Sequence, residues 1–292
     1  KKFISITFLL LITFGMIGCG KNQVLKKENV NETNQEQATE NKETAEEQQE
    51  NTNNDTEEQS QSQIDYINIA PEEVKIPILM YHSISDEDPS NNLLVPPAMF
   101  EEQMAWLEAN NFTAMNMDEA LEAMRTGKVP KRPVVITFDD GYANNYTSAF
   151  PSLKNHKLKA TFFVITDGVD NGYYMSSDNL KEMQDAGMSI ENHTANHLEL
   201  NNLSKTDAYE SIKRAQDYLR NVIGSDGNYL CYPVGKYNDE TIQIEEELGI
   251  KAAVTTQGGF ASINDGLHTL KRVRISPMSI EGFASIFSEY IN

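Results

Sequence analysis

The stretch that decides the fold is Val134-Val135-Ile136-Thr137-Phe138-Asp139-Asp140-Gly141, an apolar run that ends in two carboxylates and a glycine. Five consecutive β-branched or aromatic residues before such a polar turn are typical of a buried strand. In barrels built from alternating strands and helices, catalytic side chains lie at the carboxyl ends of the strands. The stretch therefore predicts a buried strand that delivers Asp139 and Asp140 to a functional site.

Similar apolar runs recur along the chain and alternate with amphipathic segments. The predicted strands are 76–84, 133–138, 160–165, 188–191, 229–232, 252–255 and 270–275, and the predicted helices are 97–111, 118–126, 146–155, 177–186, 204–222 and 239–248. This alternation predicts a parallel sheet covered by helices. Seven such units favour a closed α/β barrel over an open sheet. The lack of a Gly-rich phosphate turn after the first strand also argues against a dinucleotide-binding fold.

Further polar residues follow other predicted strands. His82 lies near the end of the first, His193-Thr194-Ala195-Asn196-His197 follows the fourth, and Tyr232-Pro233-Val234-Gly235 closes the fifth. Scattered structural histidines have no reason to share this placement. These residues are therefore expected to meet Asp139 and Asp140 at the carboxyl end of the barrel.

The two aspartates and two of the histidines form a candidate metal site. Adjacent free carboxylates repel each other, and a divalent cation bound by one of them removes that conflict. The spacing of His193 and His197 would place both imidazoles on one face of a helical turn. Asp140, His193 and His197 then supply three ligands and leave a position open for water, as in catalytic zinc sites. Asp139 remains free to act as a general base.

Each part of this pattern has a simpler interpretation as well. An Asp-Asp-Gly sequence after a strand is often only a turn, two histidines four apart often lie on a solvated helix face, and His82 could be a buried, hydrogen-bonded histidine. The joint occurrence at strand ends favours the functional interpretation. Two other histidines, His156 and His268, lie in Lys-rich or polar surroundings and are predicted to be surface residues without partners.

The first nineteen residues have the features of an export signal. Lys1-Lys2 precedes the apolar run 3–17, and Met16-Ile17-Gly18-Cys19 closes it. The cysteine after glycine resembles a bacterial lipoprotein box, which implies acylation of Cys19 and anchoring at the extracytoplasmic face of the membrane. An ordinary signal peptide is the alternative, and a transmembrane helix is disfavoured because spanning hydrocarbon needs about 20 apolar residues.

Composition divides the rest of the chain into two parts. Residues 20–65 are rich in Glu, Gln, Asn and Thr, carry few apolar residues, and are predicted to be a disordered acidic linker. Residues 66–292 are long enough for a single catalytic domain. The formal net charge of −20 argues against nucleic acid and other polyanions as partners. The sequence leaves the oligomeric state open, with a monomer favoured.

Thr137-Phe138-Asp139-Asp140-Gly141 and the segment from His193 to His197 resemble the first two motifs of the polysaccharide deacetylases, carbohydrate esterase family 4. The resemblance implies a distorted (β/α)7 barrel that removes acetyl groups from glycans with a divalent metal, zinc being favoured over cobalt or nickel. It also implies that Asp139 is the base and that Asp140, His193 and His197 are the metal ligands.

The third motif departs from the common form, because Cys231 stands where the family has an arginine. Arg272 is a candidate replacement that would orient the base. Tyr232-Pro233-Val234-Gly235-Lys236-Tyr237-Asn238 is similar to the poly-N-acetylglucosamine deacetylase branch. That likeness implies that Tyr232, Pro233 and the Val234 N–H contact substrate or its oxyanion, and that His82 is the general acid.

We therefore expect an enzyme that removes N-acetyl groups from N-acetylglucosamine in an extracellular glycan, with poly-N-acetylglucosamine favoured. Peptidoglycan and acetylxylan are the competing substrates. The alternative from another class is a catalytically weak glycan-binding lipoprotein that uses the same groove. Such a protein has no need of a base at position 139.

Overall fold

The computed structural model describes residues 64–291. The predicted signal segment, the lipidation site Cys19 and all but the last two residues of the predicted linker lie outside this range. Within it, no helix has the length and apolar character needed to cross a membrane.

Seven parallel strands close into a barrel. Around the ring the order is β2, β10, β9, β8, β7, β6 and β5, and pairing of β5 with β2 closes it. The ring strands are β2 Ile78–Tyr81, β5 Pro133–Phe138, β6 Thr161–Val164, β7 Ser189–Asn192, β8 Tyr229–Cys231, β9 Ala252–Gly258 and β10 Leu270–Arg274. The expected distorted (β/α)7 barrel is confirmed.

Three short strands were not expected from the sequence. They are β1 Tyr66–Asn68, β3 Thr113–Met115 and β4 Lys128–Pro130. The first half of β5 pairs with β3, whereas only Thr137 and Phe138 pair with β6. This shared edge distorts the ring. Strands of three residues carry too little periodic pattern to be recognised from sequence.

Helices cover the outside of the barrel. They are α1 Pro97–Ala109, α2 Met117–Thr126, α3 Phe150–Asn155, α4 Ser177–Asp185, α5 Lys205–Tyr218, α6 Asp239–Leu248, α7 Ile280–Ile286 and α8 Ser288–Ile291. The predicted helix 204–222 is α-helical only to Tyr218 and continues as a π turn to Ile223. The helix predicted from Asp118 begins one residue earlier, because Asn116 caps it by accepting a hydrogen bond from the Glu119 N–H.

Alternation along the strands separates two apolar layers. In β5, Val134, Ile136 and Phe138 belong to the cluster between barrel and helices, while Val135 belongs to the inner cluster. Residues at the following odd positions, Thr137 and Asp139, continue on the inner side because side chains alternate along a strand. The inner row of β5 therefore changes from apolar to polar toward its carboxyl end.

Candidate active site

Three of the predicted ligands converge at the carboxyl end of the barrel. Asp140 Oδ1 lies 3.2 Å from His193 Nε2 and 3.4 Å from His197 Nε2. Two ligands at about 2.0–2.1 Å from a tetrahedral zinc ion are separated by roughly 3.3 Å. The spacing of these donor atoms therefore fits a divalent cation.

The tautomer of His193 gives an independent test of that fit. Its Nδ1 lies 2.7 Å from the Cys231 carbonyl oxygen, to which it donates its proton. In the neutral ring Nε2 then carries a lone pair and faces the Asp140 carboxylate. Two acceptors at this separation need either a proton or a metal cation between them. Burial by itself lowers the pKa of His193, but the acceptors at Cys231 and Asp140 outweigh it and raise that pKa well above its ordinary value.

The backbone that presents these ligands is not helical. After β7 ends, Thr194 and His197 adopt positive φ angles of 63° and 55°, and Asp140 adopts 74°. The helical turn predicted for His193 and His197 is therefore wrong, although the two rings do lie 4.9 Å apart. Left-handed backbone at residues other than glycine costs on the order of 1 kcal/mol each and is common at functional sites.

The second carboxylate of the pair has a different partner. Arg272 Nη1 and Nη2 donate hydrogen bonds of 2.7 Å to the two oxygens of Asp139. The same guanidinium donates to Thr137 Oγ1 and to the Thr255 carbonyl, and the side chain is completely buried. Burial alone would raise the pKa of Asp139, but the charge of Arg272 holds it well below its usual range. The structure thus places the predicted replacement arginine directly on the predicted base.

Cys231 belongs to this arrangement as a thiol. Its Sγ accepts a 3.2 Å hydrogen bond from Arg272 Nη2, and burial raises its pKa above the ordinary value. Asp139, His193 and Cys231 also bring donor atoms within 4.8 Å of one another. Because the guanidinium already contacts both Asp139 and Cys231, that second set is a weaker metal site than Asp140, His193 and His197.

His82 is another neighbour of Asp139. Its Nε2 is 3.9 Å from Asp139 Oδ2, which is too long for a hydrogen bond. Burial lowers its pKa from the ordinary value, and the nearby carboxylates only partly oppose this. The backbone carbonyl of His82 accepts a 2.7 Å hydrogen bond from Asn145 Nδ2, which fixes the residue after β2 ends.

The third motif forms a tight turn after β8. Tyr232 leads into the short helical turn Pro233–Gly235, in which Val234 has a φ of 48° and an exposed side chain. The hydrogen bonds of the turn use the N–H groups of Gly235 and Lys236 rather than that of Val234. A side chain at Gly235 would place a Cβ 2.2 Å from Thr256 Oγ1, so only glycine fits.

Two histidines outside the site have partners that the sequence did not reveal. His156 bridges Glu108 and Glu101 at 2.6 and 2.9 Å, and His268 Nδ1 lies 2.6 Å from the buried Glu245. The prediction that both are unpartnered surface residues is wrong. Their partners come from helices distant in sequence, so local composition could not show them.

Sequence reasoning also missed Tyr142, which borders the ligands. Burial together with the nearby Asp140 carboxylate raises the pKa of its hydroxyl far above the ordinary value. A cleft of about 360 Å³ opens beside it, lined by Asp140, Tyr142, Ile165, Asp167, Gly168, Tyr174, Asn196 and His197. The aromatic residue directly after Asp139-Asp140-Gly141 was the available signal. A larger cleft of about 1300 Å³, which includes Tyr66 and Lys159, contains none of the predicted site residues.

Fold and site together define a class: a barrel hydrolase with a buried carboxylate–guanidinium pair beside a donor set for a divalent cation. The sequence profile of the polysaccharide deacetylase domain matches residues 126–253. A Bacillus subtilis protein assigned to the polysaccharide deacetylases, YxkH, is 40% identical over 218 residues, which are 74% of this chain and 76% of that protein.

Two further relatives support the same assignment. The poly-beta-1,6-N-acetyl-D-glucosamine N-deacetylase of Staphylococcus epidermidis is 27% identical over 230 residues, covering 70% of this chain and 80% of the relative. The Streptococcus pyogenes deacetylase PplD, solved in complex with acetate, superposes with a TM-score of 0.70 at 35% identity and covers 75% of this chain and 99% of its own. The chain belongs to the polysaccharide deacetylases, which are hydrolases that act on acetylated polysaccharides and use a divalent metal.

Proposed function

We propose that this protein removes N-acetyl groups from N-acetylglucosamine residues of an extracellular polysaccharide, with poly-N-acetylglucosamine as the favoured substrate. The observation that carries the proposal is the Asp139 carboxylate, which accepts hydrogen bonds from both terminal nitrogens of Arg272 beside the convergent donors of Asp140, His193 and His197. Desolvating an ion pair is costly. A module that only binds glycan gains nothing from one at this position.

Asp140, His193 and His197 would hold the cation, for which zinc is favoured and cobalt and nickel are alternatives. When bound, such an ion supplies Lewis acidity toward a carbonyl oxygen and lowers the pKa of a coordinated water. The donor set of two imidazoles and one carboxylate suits these borderline metals better than magnesium or calcium, which prefer oxygen ligands alone.

The remaining residues carry the proton transfers. Asp139 takes a proton from the attacking water, whose oxygen bonds to the acetamide carbon. The Val234 N–H donates a hydrogen bond to the oxygen of the resulting tetrahedral centre, and Tyr232 and Pro233 shape the turn that presents it. The C–N bond then breaks, and the nitrogen leaves as an amine once it has been protonated.

His82 is the proposed acid for that last step. Its lowered pKa leaves it neutral at rest, so it must gain its proton during the reaction. Asp139 Oδ2, 3.9 Å away, is the nearest group that acquires one. A relay from water through Asp139 to His82 and on to the leaving nitrogen agrees with the direction of the pKa, and it requires a bridging water or a shortening of the 3.9 Å gap during the reaction.

The substrate preference draws on the staphylococcal relatives, which are named poly-beta-1,6-N-acetyl-D-glucosamine N-deacetylases. The location draws on the sequence: acylation of Cys19 would tether the domain, through residues 20–65, to the extracytoplasmic face of the cell membrane. An acidic protein of net charge −20 is suited to a substrate that is neutral when acetylated and cationic afterwards.

The test is acetate release by the protein with zinc, with chelator, and as Asp139→Asn, on β-1,6-linked N-acetylglucosamine oligomers and on peptidoglycan. We expect chelator-sensitive release from the oligomers. Asp139→Asn should lower the rate by roughly 10²–10⁴-fold, with the bound zinc unchanged by elemental analysis because Asp139 is not a ligand.

The other outcomes decide between the alternatives. Release only from peptidoglycan or acetylxylan would retain the chemistry and replace the substrate. Full activity in Asp139→Asn would refute the role of the base. Glycan binding without any acetate release, and insensitive to chelator, would instead support a binding lipoprotein.

A further inference from the structure

Large apolar side chains that are exposed fall into two groups in the described part of the chain. One group lies near the ends of that part: Ile64, Tyr66, Ile67 and Ile291. The other is Tyr173, Leu198 and Val234, exposed by 66%, 48% and 52%. These three follow β6, β7 and β8, which are neighbours in the barrel, at the end that carries the site. We call Tyr173, Leu198 and Val234 the apolar rim.

Tyr173 is the most exposed member and is held by two other rings. Its ring meets those of Tyr142 and Tyr174 edge-on, with centroids 5.5 and 5.0 Å away and interplanar angles of 89° and 87°. Tyr142 and Tyr174 stack on each other at 5.6 Å. Because Tyr142 lines the same cleft as Asp140, only one ring separates Tyr173 from the cleft that contains a proposed metal ligand.

The loop that bears Tyr173 is well fixed. Asn171 Oδ1 accepts hydrogen bonds from the N–H groups of both Tyr173 and Tyr174, at 2.9 and 3.1 Å. The Tyr173 carbonyl accepts from the Ala143 N–H, which ties the loop to the segment after Asp140. Gly168 lets the Tyr174 ring approach, because any side chain there would put a Cβ 2.5 Å from that ring. A fixed exposed ring loses little entropy when a ligand covers it.

We propose that the Tyr173 ring is a stacking subsite for a sugar residue next to the one that is deacetylated. This inference rests on the proposed function. The axial C–H groups of a β-linked hexosamine form an apolar face, and an aromatic ring buries that face favourably. Leu198 and Val234, which follow the neighbouring strands β7 and β8, would extend this apolar contact along the same glycan.

Polar groups beside the rim suit the hydroxyl groups of a sugar. Asp167 and Asn196 line the cleft between Tyr174 and His197. Asn196 accepts a 2.7 Å hydrogen bond from Ser211 Oγ through its carbonyl oxygen, so its amide N–H groups are not used in that bond. Apolar faces with a few placed polar groups are the usual composition of a carbohydrate or small-molecule subsite.

The experiment compares Tyr173→Ala with Tyr173→Phe, which keeps the ring, and with Tyr66→Ala, an exposed tyrosine of the other group. For each zinc-loaded protein, KM and kcat are measured on the β-1,6-linked N-acetylglucosamine pentamer and on p-nitrophenyl acetate. We expect Tyr173→Ala to raise KM for the pentamer about tenfold and to leave both constants for the small ester unchanged. Tyr173→Phe and Tyr66→Ala should match the wild type.

Binding of the pentamer by calorimetry in an Asp139→Asn background separates this inference from the proposed function. A higher Kd in Tyr173→Ala would support the subsite, whether or not the wild-type enzyme releases acetate. The absence of acetate release would by itself refute the activity. Equal Kd and KM in Tyr173→Ala and the wild type would overturn the subsite and leave the activity standing. An equal loss of kcat/KM on the pentamer and on the small ester would also overturn the subsite, since that pattern indicates damage to the metal site.

Discussion

Two acidic side chains are buried in the same barrel, and their environments push them in opposite directions. Asp139 is 3% exposed to solvent and Glu191 is 6% exposed. Asp139 accepts hydrogen bonds from Nη1 and Nη2 of Arg272, and the charge of this guanidinium holds the pKa of Asp139 well below the usual range. Glu191 accepts hydrogen bonds from the Ser189 hydroxyl and the Tyr229 N–H, and burial raises its pKa to about 7.

The difference shows that burial alone does not make a base. Arg272 is the only buried arginine among residues 64–291, and it contacts the carboxylate beside the candidate metal ligands. The barrel therefore places its buried guanidinium where an ionised carboxylate is needed at neutral pH. Glu191, without a cation, is a cost in stability rather than a catalytic group.

The largest expected effect comes from removing that charge. Arg272→Met leaves Asp139 buried and unpaired, which should cost roughly 3–5 kcal/mol of folding free energy, and the pKa of Asp139 should rise. Acetate release should fall by at least about 10²-fold, as for the loss of a general base. Denaturant unfolding and kcat measure the two effects separately.

A second variant tests whether the arginine must come from position 272 or only has to reach Asp139. Cys231 Sγ lies 3.2 Å from Arg272 Nη2, so an arginine at 231 could reach the same carboxylate once position 272 is neutral. Cys231→Arg in the Arg272→Met background should recover part of the activity, whereas Cys231→Arg alone should destabilise by placing two guanidinium groups together. No recovery, in a protein that folds and binds zinc, would contradict the orienting role of Arg272.

Glu191→Gln should give the next largest effect, on stability rather than activity. Because the folded pKa of about 7 lies above the ordinary 4.5, the wild type loses stability as pH rises from about 4.5 to about 7. At pH 8 the amide should stabilise the fold by on the order of 2–3 kcal/mol, and near pH 4.5 it should have little effect. A thermal unfolding series for both proteins across pH measures this, and a difference independent of pH would contradict it.

The smallest expected effect concerns His156, which links α1 to the turn after α3. Its contacts with Glu101 and Glu108 raise its pKa above 6.5. The stabilisation is therefore fully present below pH 6.5 and is lost as pH rises through the folded pKa. His156→Gln should lower the free energy of unfolding by less than about 1 kcal/mol at pH 5.5, and by less again at pH 9. Acetate release should not change, since His156 does not line the cleft that contains Asp140 and His197.

The strands of the barrel were predictable because parallel strands that are buried on both faces consist of continuous apolar runs. The runs that contain Val134 and Phe162 lie in the barrel, and the polar residues that follow them lie at its carboxyl end, as expected. The predicted proximity of His193 and His197 is observed, but the predicted cause is wrong: the two rings meet through left-handed backbone at Thr194 and His197, not through a helix. Positive φ at residues other than glycine leaves no local sequence pattern.

The sequence by itself determined the fold class and the donor set, because hydrophobic periodicity and the chemistry of Asp and His side chains are local properties. Only the tertiary structure decided which side chains hydrogen-bond to or pack on one another. Arg272 reaches Asp139 across 133 residues, His268 reaches Glu245 on another element, and Tyr173 packs on Tyr142 from a different loop. Barrel closure brings residues together by strand order rather than by sequence separation, so the charge that holds the base and the ring beside the cleft could be located only after the strands had closed.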